Sequence, residues 1–288
     1  RYINSRRISE LILPDPDRPI GIGQYTLDAG SPTSGMLTGL RRLGLEVKSL
    51  ARAREFYEGR LGLEVAGTDE PPSAVGYEIG WDGDDADSTT LLLRRPVDTP
   101  RGGVHTHYAF STTPEAYAAW RRRLADLDPV EFSFGASDSL YVYDPDGHCV
   151  EIGSVDDSSD DDPDADGSDG DDTVPPLTGV FEVVLEVTDL PRAEERYRRL
   201  GFEVVDRGEE RRRVRLDGPM ALELWEPQLG IADARGGLHV DLAFATSNPD
   251  AAVEAGAPWS SEPEPVDGGV RVVDDDGHVL TFLRSGAE

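Results

Sequence analysis

Apolar and polar residues alternate along 40–47 and again along 180–187, the period-two pattern of a half-buried β-strand. A helix signal follows each run. Ser49 stands ahead of Leu50, and Asp189-Leu190-Pro191 sets an acidic N-cap before a proline in the first turn, so helices are predicted through Tyr57 and through Tyr197 to Leu200. In the first half of the chain, short apolar runs then predict strands at 63–66, 75–81 and 89–94. A further strand begins at His105, a helix rich in Ala and Arg spans Pro114 to Leu127, and two or three strands close the half at Glu151. The order is βαβββ, twice in each half. Helices alternating with strands at hairpin spacing predict an α+β fold with a mixed, curved sheet.

The halves also repeat in their words. Leu37-Thr38-Gly39-Leu40 is answered by Leu177-Thr178-Gly179-Val180, and Leu45-Glu46-Val47 by Leu185-Glu186-Val187. Leu61-Gly62-Leu63-Glu64-Val65 meets Leu200-Gly201-Phe202-Glu203-Val204, Gly102-Gly103-Val104-His105 meets Gly236-Gly237-Leu238-His239, and Asp146-Gly147-His148 meets Asp276-Gly277-His278. This repetition predicts two homologous domains, 36–153 and 177–285. Between them, 154–176 carries ten Asp, no basic residue and no large hydrophobe beyond two valines, the composition of an acidic disordered linker. Residues 1–35 are net neutral and turn-rich, unlike everything after them, and are expected to be a tail outside the native fold.

Composition narrows the classes. The 288 residues hold 28 Lys+Arg against 57 Asp+Glu, a net charge of −29, with Lys48 the single lysine. Near-absence of Lys with abundant short carboxylates predicts a salt-adapted cytoplasmic protein, whose self-repulsion is screened by its solvent. Such a field repels phosphate backbones and anionic bilayers, so neither a nucleic acid nor a membrane is expected as partner. One cysteine, Cys149, excludes an internal disulfide and a paired-cysteine zinc site. No run of 18 apolar residues predicts a membrane span.

Leu50-Ala51-Arg52-Ala53-Arg54-Glu55-Phe56-Tyr57 followed by Leu61-Gly62-Leu63, together with Tyr141-Val142-Tyr143-Asp144-Pro145-Asp146-Gly147-His148-Cys149-Val150-Glu151, resembles the vicinal oxygen chelate superfamily of glyoxalase I, bleomycin-resistance proteins and extradiol dioxygenases. The resemblance implies tandem domains of paired βαβββ units, each pair curling into a cup around one divalent metal. It places the four ligand slots on Arg42, Leu92, His107 and Glu151 in the first domain. In the second they fall on Glu182, Glu223, Asp241 and Thr281. Neither domain has a full set, but the losses are complementary. In glyoxalase I-like proteins each site is built from both domains, which implies one metal site of His107, Glu151, Glu182 and Glu223 and one dead cup of Arg42, Leu92, Asp241 and Thr281. One nitrogen and three oxygens suit divalent Fe, Mn, Ni, Zn or Mg.

Strand parity agrees with that set: His105 and His107 share a face, as do Cys149 and Glu151, and Glu182, Val184 and Glu186. Glu182, Glu186 and Glu223 also read as solvated residues of acidic strands. His148 and His278 read as turn or surface residues. The resemblance implies a metal-dependent lyase, isomerase or dioxygenase acting on a small oxygenated molecule, with Glu151 or Glu223 moving a proton and His105, Arg42 and Trp225 contacting substrate. With one imidazole, proton transfer is favoured over ring cleavage. The alternative is a metal-free protein that sequesters a small ligand, with Trp81, Trp120, Trp225 and Trp259 available for stacking. Either a monomer or a homodimer fits two fused domains.

Overall fold

A computed structural model describes residues 35–66, 73–80, 88–96, 107–134, 137–155, 174–208, 212–226 and 241–286. The tail over 1–34, His105, Trp81 and the body of the acidic linker lie outside the described residues. The elements follow four βαβββ-like units. The first is β1 (Gly39–Glu46), α1 (Leu50–Tyr57), β2 (Ala74–Ile79) and β3 (Thr89–Arg94). The second is β4 (His107–Thr112), α2 (Pro114–Arg123), a 3-10 turn (Ala125–Leu127), β5 (Val130–Phe134), β6 (Ser137–Tyr143) and β7 (Cys149–Ser154). The third is β8 (Gly179–Glu186), α3 (Leu190–Arg199), β9 (Glu203–Arg207), β10 (Arg213–Asp217) and β11 (Ala221–Trp225). The fourth is β12 (Asp241–Thr246), α4 (Pro249–Gly256), β13 (Glu264–Val266), β14 (Gly269–Val273) and β15 (Val279–Arg284).

Local chemistry sets the helix starts. The side chains of Ser49, Thr113, Asp189 and Asn248 each accept a backbone N–H from the first turn of α1 to α4, and three of those helices carry proline at their opening. Each such cap stabilises by about 1 kcal/mol. The helix predicted over 114–127 is split, because α2 ends at Arg123 and Leu124 leads into the 3-10 turn. The strand predicted at 63–66 is reduced to a single bridge, Val65 to Tyr77, whereas its repeat β9 pairs along β10.

The sheets cross the repeat boundary. One sheet runs β13-β14-β15-β12-β1-β3-β2 and joins the fourth unit to the first; the other runs β5-β6-β7-β4-β8-β11-β10-β9 and joins the second to the third. In each, the opening strands of two units meet antiparallel at the centre, β1 on β12 and β4 on β8. Each opening strand is flanked by its own unit's last strand in parallel. The architecture is thus α+β, and each cup is a pair of βαβββ units, one drawn from each repeat.

One face of each sheet packs on helices. Leu43, Leu45, Leu91, Leu93, Phe244 and Phe282 on one sheet, with Tyr108, Phe110, Ile152, Leu185, Leu222 and Leu224 on the other, belong to a single buried core that also takes in Tyr57, Trp120 and Tyr197 from the helices. Burying one such side chain contributes roughly 1.5–3 kcal/mol. Trp120 is fully buried and Trp259 packs against Phe282, so both tryptophans belong to the helix side and cannot stack a ligand in a cup.

Two turns tie the sheets together. Asp144 Oδ1 accepts the N–H groups of Asp146 and His148, and Asp274 Oδ1 accepts those of Asp276 and His278. Asp146 then accepts the N–H of Lys48, and Asp276 that of Thr188, so each turn grips the strand-to-helix junction opening its own repeat. The histidines expected at the surface are buried. His148 Nδ1 pairs with Asp144 at 2.8 Å, while His278 Nε2 meets the carbonyl of Glu186. Tyr57 donates to Asp144 at 3.0 Å and makes a short contact with the Tyr108 hydroxyl.

Candidate metal centre

With Tyr108, Phe110, Val150, Ile152, Val183, Leu185, Leu222 and Leu224 committed to the core, pleating turns their neighbours to the opposite face. Backbone pairing then sets two rows. Glu151, Ala109, Glu182 and Ala221 lie side by side across β7, β4, β8 and β11; Cys149, His107, Val184 and Glu223 form the next row. The four residues assigned as ligands, two from each repeat, therefore stand on four adjacent strands of one face. All four are buried.

Three of them converge. One donor atom from each of His107, Glu151 and Glu182 lies within 4.8 Å of the others, a group that could hold a metal ion. His107 Nε2 is 2.8 Å from Glu151 Oε2. Burial pulls the imidazole pKa down, but the Glu151 hydrogen bond and the charges of Glu151, Glu182 and Glu223 outweigh it, so the value is raised. Burial is also the main influence on Glu182, followed by the opposing pull of Arg215 and the repulsion of Glu223 and Glu151; its pKa rises to about 7. A buried carboxylate among like charges is costly unless a cation joins it.

Glu223 stands apart from that trio. Trp225 Nε1 donates to its Oε2 at 2.7 Å, and Arg213 and Arg215 donate to its Oε1 at 3.2 and 3.0 Å. Burial opposes ionisation there, yet Arg215, Arg213 and the Trp225 hydrogen bond prevail and lower its pKa. Arg215 also makes a short ion pair with Glu182 Oε2, and Arg213 reaches Asp206 at 2.7 Å. Sequence reasoning missed both arginines. The available signal was the β10–β11 hairpin around Gly218-Pro219, whose register sets Arg215 opposite Glu223 and Arg213 opposite Trp225.

The remaining residues divide between the cups. Trp225 lies on the face of the trio, as do Tyr141 and Cys149, which form a small apolar cluster with Val130, Phe132 and Tyr143. Arg42 lies on the other sheet. Its Nη2 donates to Asp241 Oδ1 at 3.4 Å and to Thr281 Oγ1 at 3.5 Å, so the guanidinium assigned to substrate is engaged in its own cup. Leu92, Asp241 and Thr281 are buried beside it.

The donor set tests well against a divalent ion. An imidazole and two carboxylates meet from three neighbouring strands, and each carboxylate has two oxygens, so Glu182 can serve Arg215 and an ion together. Among the described residues no helix is long and apolar enough to cross a membrane.

Residues 39–152 match the family model described as Glyoxalase/Bleomycin resistance protein/Dioxygenase superfamily. Among solved structures, the fold is similar to that of a Bacillus subtilis protein provisionally named a dioxygenase, at TM-score 0.60 and 13% identity over 88% of this chain and 86% of that one. It is also similar to glyoxalase I from Zea mays, at TM-score 0.57 and 18% identity over 85% and 92%. A search of curated proteins gave no match.

Proposed function

We propose that this tandem member of the glyoxalase/bleomycin resistance/dioxygenase superfamily is a divalent-metal-dependent lyase, isomerase or dioxygenase with one working cup. The observation that carries the reading is the convergence of His107 and Glu151 from one repeat with Glu182 from the other. Those three side chains would hold the ion, which when bound supplies Lewis-acid stabilisation of negative charge on neighbouring substrate oxygens. His107 would offer Nε2, the nitrogen that faces Glu151 at 2.8 Å. Glu223 stays at the edge, ionised and oriented by Arg213, Arg215 and Trp225, and accepts a carbon-bound proton; those ion pairs aim it at some cost in basicity. Trp225 and the Tyr141 cluster flank the substrate, a small oxygenated molecule. One imidazole favours proton transfer over ring cleavage.

A second reading has its own observation. Arg215 already joins Glu182 to Glu223, as a built-in cation would in a metal-free cup that sequesters a small ligand. Equilibrium dialysis against Mn(II) in high salt separates the two. The enzyme reading expects one ion per chain, with affinity falling at least tenfold in Glu182→Gln and His107→Ala. Protein that takes up no divalent ion, yet binds an aromatic or cationic drug, overturns it.

A further inference from the structure

The second cup has the same backbone and the opposite chemistry. Its rows align with those of the first: Asp241 takes the place of His107, Thr281 that of Glu151, Arg42 that of Glu182 and Leu92 that of Glu223. The correspondence extends to the flanks. Arg271, paired opposite Thr281, stands where Tyr141 pairs opposite Glu151; Arg94, opposite Glu46, stands where Trp225 pairs opposite Glu186. Three positions that hold a carboxylate and two aromatic rings in one cup hold guanidinium groups in the other.

These guanidinium groups are under-used. Arg94 Nη1 donates to Asp241 Oδ2 at 2.7 Å, whereas Arg42 reaches Asp241 and Thr281 only at 3.4 and 3.5 Å. The Nε–H groups of Arg42, Arg94 and Arg271 are all buried without a hydrogen-bond acceptor among the described residues, although Arg94 Nε lies 3.8 Å from Glu46. A buried unmet donor costs roughly 1–3 kcal/mol, so three on one face call for an acceptor. They stand on neighbouring strands of one face: Arg42 and Arg94 share Asp241, Arg42 reaches across β12 to Thr281 on β15, and Arg271 is paired opposite Thr281 on the next strand, about 4.8 Å further.

The geometry points to a small organic carboxylate as the ligand of this second cup, held by Arg42, Arg94 and Arg271 with Thr281 beside them. Charge sets the class. On this face three partly buried guanidinium groups stand against the buried Asp241 and Glu46, a surplus of one positive charge that suits a monoanion better than a phosphate dianion. Glu78 and Glu264 also belong to this face but are exposed on flanking strands, where solvent screens them. Two carboxylate oxygens match the paired N–H groups of a guanidinium fork. Leu92 and Val279 offer apolar surface to the carbon end.

The test is a titration of the full chain with propionate and, separately, inorganic phosphate at fixed ionic strength, following the arginine Nε–H resonances by NMR. Propionate is expected to shift the signals of Arg42, Arg94 and Arg271 saturably, and phosphate to bind more weakly. Arg271→Gln should weaken propionate at least tenfold. That variant should fold, because no ion pair of the Arg271 side chain is seen among the described residues. Its uptake of Mn(II) should match wild type, so this cup is scored separately from the metal reading of the other. Signals that stay put, or that drift linearly with every other arginine, overturn the site and leave water as the acceptor. Tighter binding of phosphate overturns the carboxylate class.

Discussion

Two cups share one topology and differ in what their charges face. In the cup of β4 and β8, three carboxylates are gathered, and the arginines that answer them come from β10, a strand outward of the ligand strands. In the cup of β1 and β12, Arg42 and Arg94 stand on the strands equivalent to those of Glu182 and Glu223 and meet at one carboxylate, Asp241. The first arrangement leaves His107, Glu151 and Glu182 facing a common point; the second sets Asp241 against Arg94 and leaves guanidinium donors facing that point. A duplicated scaffold can therefore keep the register of its central strands and still reverse the sign of a site, because the sheet dictates where side chains stand and leaves their chemistry free.

The largest effect that sharpens this contrast is expected at Arg215. Its side chain is 12% exposed and serves both Glu182 and Glu223, so Arg215→Leu strands the buried Glu182, while Glu223 keeps Arg213 and Trp225. Denaturant unfolding of metal-free protein should show a loss of about 3–5 kcal/mol. Next comes the turn that binds the sheets together on one side. His148→Gln should cost about 1.5–3 kcal/mol, the worth of a hydrogen bond to a charged group. That cost is pH-dependent. Asp144, buried but held down by its His148 pairing, contributes above 3.8 and loses the contribution as pH falls through its lowered folded value. For His148, burial is outweighed by Asp144 and the pKa is raised. Its share is therefore present below 6.5 and lost as pH rises through the folded value. Melting curves of wild type and variant should lie furthest apart in mildly acidic buffer and close up on the alkaline side.

The smallest effect belongs to the second cup. Arg42 is 22% exposed, its contacts are long, and Asp241 keeps Arg94, so Arg42→Leu should cost about 1 kcal/mol by the same unfolding measurement. A loss equal to that of Arg215→Leu would erase the difference between the cups.

Much of this was legible before the fold. Opening strands, helix caps and the repeat are written in period-two patterns and in Ser49, Asp189 and the Asp-Gly turns, all local signals. That His107 and Glu151 share one face with Glu182 and Glu223 was legible only through a family resemblance, since no local rule says that β4 lies beside β8. Arg213 and Arg215 were not legible because arginine is abundant in this chain, and a reaching side chain betrays its target only once the hairpin register is known. The burial of His148 was hidden for a related reason: a turn reads as surface until something distant, here α1 and its Tyr57, packs over it.

The central claim is one working cup per chain, and metal stoichiometry tests it most directly. Elemental analysis of full-length protein saturated with a divalent ion and freed of excess is predicted to give one ion per chain. His107→Ala and Glu182→Gln should lose that ion, and Asp241→Asn and Arg42→Leu should retain it. Two ions per chain, none, or one that survives His107→Ala would contradict the account.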